Sequence, residues 1–269
     1  MKITLLQIDI AWMDVDANIK FAERAILDAP TSDLYVLPEM WSTGFVTNPS
    51  DTSIRPLVLE NSVKALSWMK ETANRLRSAI AGSLAFYDMQ TSTYRNRFFF
   101  VKPDVEGSSS IEYYDKRHLF TYGGEDKQYE AGISKVVVEW RGVRFLLQVC
   151  YDLRFPKFCR NELITDESGI SSPLYDCILY VASWPETRIA VWRTLLPARA
   201  IENQCYVCGV NRVGTDESCT YTGATLAVDP YGRCVAKTDD AIPSTVSFEL
   251  DLPKLQSFRR KFPVLNDMD

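Results

Sequence analysis

Apolar residues recur along this chain on two different periods. Residues 16–28 carry Ile19, Ala22, Ala25 and Ile26 at helical spacing, and 62–77 carry Val63, Leu66, Met69 and Leu76. A third such segment, 191–203, places Trp192, Leu195 and Leu196 on one side and holds Pro197 at an expected kink. Each predicts an amphipathic helix. Between and after them lie short runs rich in apolar and β-branched residues, at 2–9, 33–38, 94–101, 111–115, 145–149, 205–211, 220–228 and 245–250. These have the length and composition of strands. The run Phe145-Leu146-Leu147-Gln148-Val149 is apolar on both alternating faces, which predicts a strand covered on both sides. Strands alternating with helices place the chain in the α/β class. The glycine-serine stretch 106–110 reads as a hairpin loop between the flanking strands, and 166–173 as a surface loop. With no Pro/Gly/Ser-rich linker, repeat or low-complexity tract, one domain over 1–269 is expected, a length that large layered α/β domains reach.

Three of these runs end on groups that belong together chemically. The 145–149 strand leads into Cys150, 33–38 into Glu39, and 111–115 into Lys116. Reactive groups in α/β sheets stand just beyond the carboxyl ends of strands. A carboxylate there can accept a thiol proton and later pass it to a leaving amine, while an ammonium stabilises a thiolate or an oxyanion. Each residue alone has an ordinary reading, as a core thiol or a solvated loop charge. Together they make a catalytic set. His118, the single histidine, is the one imidazole that a papain-like thiol hydrolase could use as base. Nothing local pairs it with Cys150, so it reads as a structural hydrogen-bonding residue and Glu39 as the base.

The segments Leu37-Pro38-Glu39-Met40, 114–120 around Lys116 and 149–156 around Cys150 resemble, in order and spacing, the three catalytic motifs of the nitrilase superfamily of carbon–nitrogen hydrolases. The resemblance continues through 2–9, 180–185, 198–203 and 209–214, nearly the whole chain, and looks closest to the omega-amidase branch of the YafV type. It implies a four-layer α-β-β-α sandwich, pairing into a homodimer through outer helices, and a Glu39–Lys116–Cys150 triad. In that triad Lys116 would hold Cys150 partly as thiolate. Lys116 and the backbone N–H of Tyr151 would bind the oxyanion, and Glu39 would serve departing ammonia and then the water that cleaves an acyl-thioester. No metal or organic cofactor enters; the implied partners are a small amide and water.

A second glutamate that orients the lysine matches Glu125, with Asp126 and Glu130 as competitors. Omega-amidases act on terminal amides of short 2-oxo-dicarboxylic acid monoamides, so a cation must meet the substrate carboxylate. Arg154 is the leading candidate, because guanidinium grips carboxylate with two parallel bonds; a structural pairing with Asp152 is the other reading. Phe45, Tyr122 and Trp184 are candidate walls of a small pocket. N-carbamoyl amine hydrolysis and nitrile hydrolysis are alternatives on the same fold. True nitrilases tend to follow the cysteine with Trp-Glu, and Tyr151-Asp152 here favours the amidase and carbamoylase side.

Composition narrows the remaining classes. A formal net charge of −5 and the lack of a Lys/Arg stripe argue against nucleic acid. The basic cluster at 258–262 reads as a solvated helix end. No apolar run approaches the roughly 20 residues of a membrane span, and Gln7 and Asp9 make the opening stretch a strand rather than a signal peptide. Seven cysteines, an odd number, point to a reducing cytoplasm. Cys205 and Cys208 have CxxC spacing, and Cys219 and Cys234 follow, which raises a redox or zinc site. Strand alternation would turn the first two to opposite faces and leave ordinary buried thiols. A non-catalytic binding protein of the same fold is disfavoured by the intact Glu39, Lys116 and Cys150.

Overall fold

The computed structural model describes residues 1–104, 111–165, 167, 169 and 171–267. The chain begins β1 (Lys2–Gln7), α1 (Val15–Asp28), β2 (Leu34–Val36), α2 (Arg55–Leu76), β3 (Ala79–Asp88), β4 (Thr93–Val101) and β5 (Ile111–Asp115). It continues with β6 (Val137–Trp140), β7 (Val143–Val149), α3 (Pro156–Cys159), β8 (Leu163–Thr165), β9 (Ser171–Pro173), β10 (Cys177–Ala182) and α4 (Ile189–Glu202). Then follow β11 (Tyr206–Asn211), β12 (Val213–Thr215), β13 (Thr220–Thr222), β14 (Leu226–Val228), β15 (Cys234–Lys237), β16 (Ser244–Glu249) and α5 (Leu252–Lys261). One six-stranded sheet has the order β16-β1-β2-β3-β4-β5 and another β15-β14-β11-β10-β7-β6; β8–β9 and β12–β13 are separate ribbons.

Side-chain alternation sets the layers. Leu5, Val36, Ala81 and Phe98 of the first sheet meet Phe145, Leu147, Leu179 and Val210 of the second in one buried cluster. On the outer face of the first sheet, Leu6, Tyr35, Ile80 and Phe99 pack with Ala22, Ile26 and Met69 from α1 and α2. On the outer face of the second, Leu146, Ile178 and Val207 pack with Trp192, Leu196 and Ala200 of α4. The product is an α-β-β-α sandwich. Because β7 and β10 are covered on both faces, they read as mainly apolar runs, unbroken in β10 and interrupted in β7 by Arg144 and Gln148.

Several elements depart from the periodicity for physical reasons. β3 opens Ala79-Ile80-Ala81-Gly82-Ser83, too poor in β-branched residues to announce a strand, and is held by pairing with β2 and β4 on either side. At Gly82 a Cβ would stand 2.9 Å from Leu37 Cβ, so bare backbone there lets the segment carrying Glu39 lie against β3. The run 220–228 is two strands rather than one, because Gly223 and Ala224 both take positive φ (74° and 60°). α2 starts at Arg55, with proline in its first turn, rather than at 62. Part of the expected 166–173 loop, Ser171–Pro173, pairs with Leu163–Thr165. The expected 106–110 hairpin loop lies outside the described residues.

The basic cluster near the end is only partly solvated. Arg259 is buried, and its guanidinium donates to Asp176 Oδ1 (2.7 Å) and to the carbonyls of Gln204 and Tyr175 (both 2.8 Å), fastening α5 to the second sheet. Cys205 packs on the α4 side of that sheet and Cys208 between the sheets, as alternation requires. Among the described residues, no helix is long and apolar enough to cross a membrane.

Candidate active site

Three strand ends of the two sheets converge. Beyond β2 the ladder stops, Met40 takes φ +44°, and Glu39 beside it is fully buried. Beyond β5, Arg97 clasps Asp115 through Nε (2.6 Å) and Nη2 (2.9 Å), and the next residue, Lys116, is buried. Beyond β7, Cys150 sits at φ +45°, a left-handed conformation uncommon for a residue with a side chain, and opens a 3-10 helix, Cys150–Arg154. Such strain persists only where neighbours over-determine it. Asp152 supplies that restraint: its Oδ2 accepts from Tyr114 Oη (2.8 Å) and Val149 N (3.0 Å), and its Oδ1 from His118 N (2.9 Å). His118 Nδ1 lies 2.8 Å from the same Oδ1, and its ring stacks on Phe155, the structural role expected of it. With Asp152 so occupied, the Arg154–Asp152 pair does not form; the Arg154 guanidinium lies over the Trp184 ring, 5.2 Å from its centroid.

Lys116 Nζ stands between two carboxylates, donating to Glu39 Oε1 (2.8 Å) and to Glu125 Oε2 (2.9 Å) and Oε1 (3.2 Å). Glu125 is therefore the glutamate that meets the lysine; Asp126 is exposed and Glu130 pairs with Arg95. Asn96 Nδ2 bridges the two glutamates, donating to Glu39 Oε1 (2.8 Å) and Glu125 Oε1 (2.9 Å). Backbone N–H groups complete the set, from Ser183 to Glu39 Oε2 (2.8 Å) and from Phe120 to Glu125 Oε2 (2.7 Å). Sequence reasoning missed Asn96 and Ser183, and it gave Asp152 the wrong partner, Arg154 in place of Tyr114, His118 and Val149. A polar trio, Arg95-Asn96-Arg97, inside an otherwise apolar strand was the available signal for the first; Ser183 acts through its peptide and leaves none.

Burial alone would pull the Lys116 ammonium down, but Glu125, Glu39 and Cys150 outweigh it and hold its pKa above the ordinary lysine range. Burial pushes Glu125 above the usual carboxylate range, with Lys116 opposing and Glu39 reinforcing. Burial likewise pushes the Cys150 thiol well above its usual value; the charge of Glu39 adds to the rise, and Lys116 opposes it. The expected resting thiolate is thus corrected. An ammonium already facing two carboxylates has little attraction left for a third anion. Alkylation of Cys150 by iodoacetamide, followed by peptide mass spectrometry, is accordingly expected to keep accelerating above about pH 8.5, the ordinary thiol value. A plateau below neutrality would reinstate the thiolate.

Cys150 opens on a cavity of about 830 Å³ that is also lined by Phe45, Tyr122, Tyr151, Arg154 and Trp184. All four residues expected to contact substrate are therefore brought to one space. Tyr122 is 87% exposed and belongs to the rim, whereas Trp184 is buried. The profile of the carbon-nitrogen hydrolase family matches residues 2–260. The chain belongs to that family. This carbon-nitrogen hydrolase is 40% identical over 270 residues to the Escherichia coli (strain K12) protein named omega-amidase YafV, with 100% of this chain and 97% of that one aligned. It is 33% identical over 271 residues to a 2-oxoglutaramate amidase of Bacillus subtilis (99% and 96% aligned). Among solved structures, the CN-hydrolase superfamily protein XC1258 from Xanthomonas campestris superposes with a TM-score of 0.89 at 35% identity, covering 100% of this hydrolase and 97% of XC1258. The nitrilase-superfamily protein Nit3 of Saccharomyces cerevisiae shares the fold, with a TM-score of 0.78 at 23% identity over 98% of this chain and 94% of Nit3.

Proposed function

We propose that this carbon-nitrogen hydrolase releases ammonia from the terminal amide of small 2-oxo-dicarboxylic acid monoamides, 2-oxoglutaramate among them, with Cys150 as nucleophile, Glu39 as general base and acid, and Lys116 as the oxyanion's cation. The observation that carries this reading is the Lys116 ammonium bonded to Glu39 and Glu125, with the Cys150 thiol, which opens on the cavity, close enough to Glu39 and Lys116 to feel the charge of both. The names carried by the Escherichia coli and Bacillus subtilis relatives support the substrate class.

Because Cys150 rests as a thiol, deprotonation accompanies attack: Glu39 accepts the proton as Sγ bonds to the amide carbon. The oxyanion is met by Lys116 and by the Tyr151 N–H, which lies in a first helical turn where peptide donors lack intrahelical acceptors. A donor of this kind is worth about 10²–10³ in rate. Glu39 hands its proton to the departing nitrogen, ammonia leaves, and an acyl-thioester remains. Water then yields a proton to Glu39 and attacks the thioester; collapse releases the carboxylic acid and returns the proton to sulfur. Glu125 and Asn96 hold Lys116 and Glu39 in register throughout. The reading extends to one hydrolase domain, a homodimer paired through outer helices, and a reducing cytoplasmic setting that suits seven unpaired cysteines.

Ammonia release should be compared across 2-oxoglutaramate, glutamine, aliphatic amides, carbamoyl amines and nitriles, with the first preferred. Preference for a carbamoyl amine or a nitrile would overturn the substrate assignment. Arg154→Ala is expected to raise KM for acidic amides by about 10–100-fold, the range of a charge-assisted contact, and to leave neutral amides nearly unchanged; an equal effect on both would make Arg154 structural.

A further inference from the structure

We propose that Arg188 is a second substrate-binding guanidinium, which forms with Arg154 a two-armed clamp for the 2-oxo-carboxylate end of the amide. The inference rests on the substrate reading above and extends it to a residue with no role so far. Arg188 is the N-cap residue of α4 and lines the same cavity as Cys150 and Arg154.

The two guanidiniums are built alike. Arg154 lies over Trp184 at 5.2 Å from the ring centroid, and Arg188 over Phe120 at 5.4 Å. The platform of the first is tied to the backbone of the second, because Trp184 Nε1 donates to the Arg188 carbonyl (2.8 Å). Trp184 is itself pinned by Asn211, which accepts from its N–H (2.7 Å) and donates to its carbonyl (2.9 Å). Stacking occupies the flat face of a guanidinium and leaves its N–H edge for an anion.

Neither edge is spent inside the protein. Among the described residues, no ion pair or hydrogen bond involves the Arg154 or Arg188 guanidinium, whereas Arg97, Arg199 and Arg259 are each committed to a carboxylate. Both of the free pair are half-buried. Acids of the same cavity do not neutralise them. Asp216 is engaged by Tyr221 Oη (2.7 Å) and by the backbone of Ser218 and Cys219. Glu186 and Glu217 stand exposed at the rim, where solvent and salt screen them.

The acceptor count explains why two arms are needed. A 2-oxo-carboxylate presents two carboxylate oxygens and an adjacent carbonyl oxygen. A guanidinium that takes the carboxylate in a bidentate fork points its remaining N–H groups away from the adjacent oxo group. A second guanidinium beside it completes the set, so the pair selects amides of 2-oxo acids over neutral amides.

The test is steady-state kinetics of wild type, Arg188→Gln and Arg188→Lys on 2-oxoglutaramate and on pentanamide, a neutral amide whose turnover also reports a folded site. Arg188→Gln is expected to lose about 10–100-fold in kcat/KM on 2-oxoglutaramate, chiefly through KM, and less than about threefold on pentanamide. Inhibition by the product dicarboxylate should weaken in parallel, and Arg188→Lys should recover part of the loss. Equal losses on both amides would make Arg188 structural and overturn the clamp. A wild type that prefers 2-oxoglutaramate, with an Arg188→Gln variant that keeps that preference, overturns the clamp alone. A wild type that prefers pentanamide overturns the substrate reading and the clamp with it.

Discussion

Cys150→Ala is expected to lower ammonia release by about 10⁴–10⁶, the loss found when a covalent nucleophile is deleted from an otherwise intact site. The thiol has no other task that alanine cannot perform. Cys150 is half-buried, its thiol rests uncharged beside Glu39, and alanine occupies the same left-handed backbone conformation at no greater cost. The Asp152 contacts that hold the turn use its own carboxylate and do not involve sulfur. The variant should therefore melt within roughly 2–4 °C of wild type, a shift of about 1 kcal/mol for a chain of this size. An ammonia assay run beside thermal unfolding separates the two effects. Undiminished turnover in a folded variant would remove Cys150 from the chemistry.

Lys116→Ala carries the second large effect, and it falls on stability as well as rate. Lys116 is the cation of Glu39 and Glu125, all three fully buried, and removing one partner of a buried ion network costs about 3–5 kcal/mol through the charges left behind. The loss has a direction in pH. Glu125 already titrates above the ordinary carboxylate range, so its contribution to stability is full below about pH 4.3 and is lost as pH rises through its folded value. Lys116 is the group that opposes that upward shift. Without it the folded pKa climbs further, and the variant's melting temperature should fall more steeply than wild type's between pH 5 and pH 8. Equal stability of variant and wild type at pH 8 would contradict the assignment of Lys116 as counter-charge.

What could be read from the sequence was local. The strand ends followed by Glu39, Lys116 and Cys150 are written in short runs rich in apolar and aromatic residues, and each run does form a strand, β2 over Leu34–Val36 only. The sandwich's helices announce themselves by the same means. Features that depend on a partner far along the chain were not legible. Asn96 reaches Glu39 across 57 positions and the Ser183 N–H reaches it across 144. β3 exists because of its neighbours, and Arg259 is drawn from solvent by Asp176, a partner 83 positions away. The thiolate expectation failed for a related reason: a lysine beside a cysteine implies a lowered pKa only when no carboxylate claims the lysine first, and here two do.

The account turns on acyl transfer to a single sulfur. Wild-type enzyme turning over 2-oxoglutaramate, quenched in acid within the first turnovers and digested for peptide mass spectrometry, should carry the acyl group as a mass increment on the peptide that contains Cys150. An acyl group found on any other side chain, with Cys150 unmodified during active turnover, would contradict it.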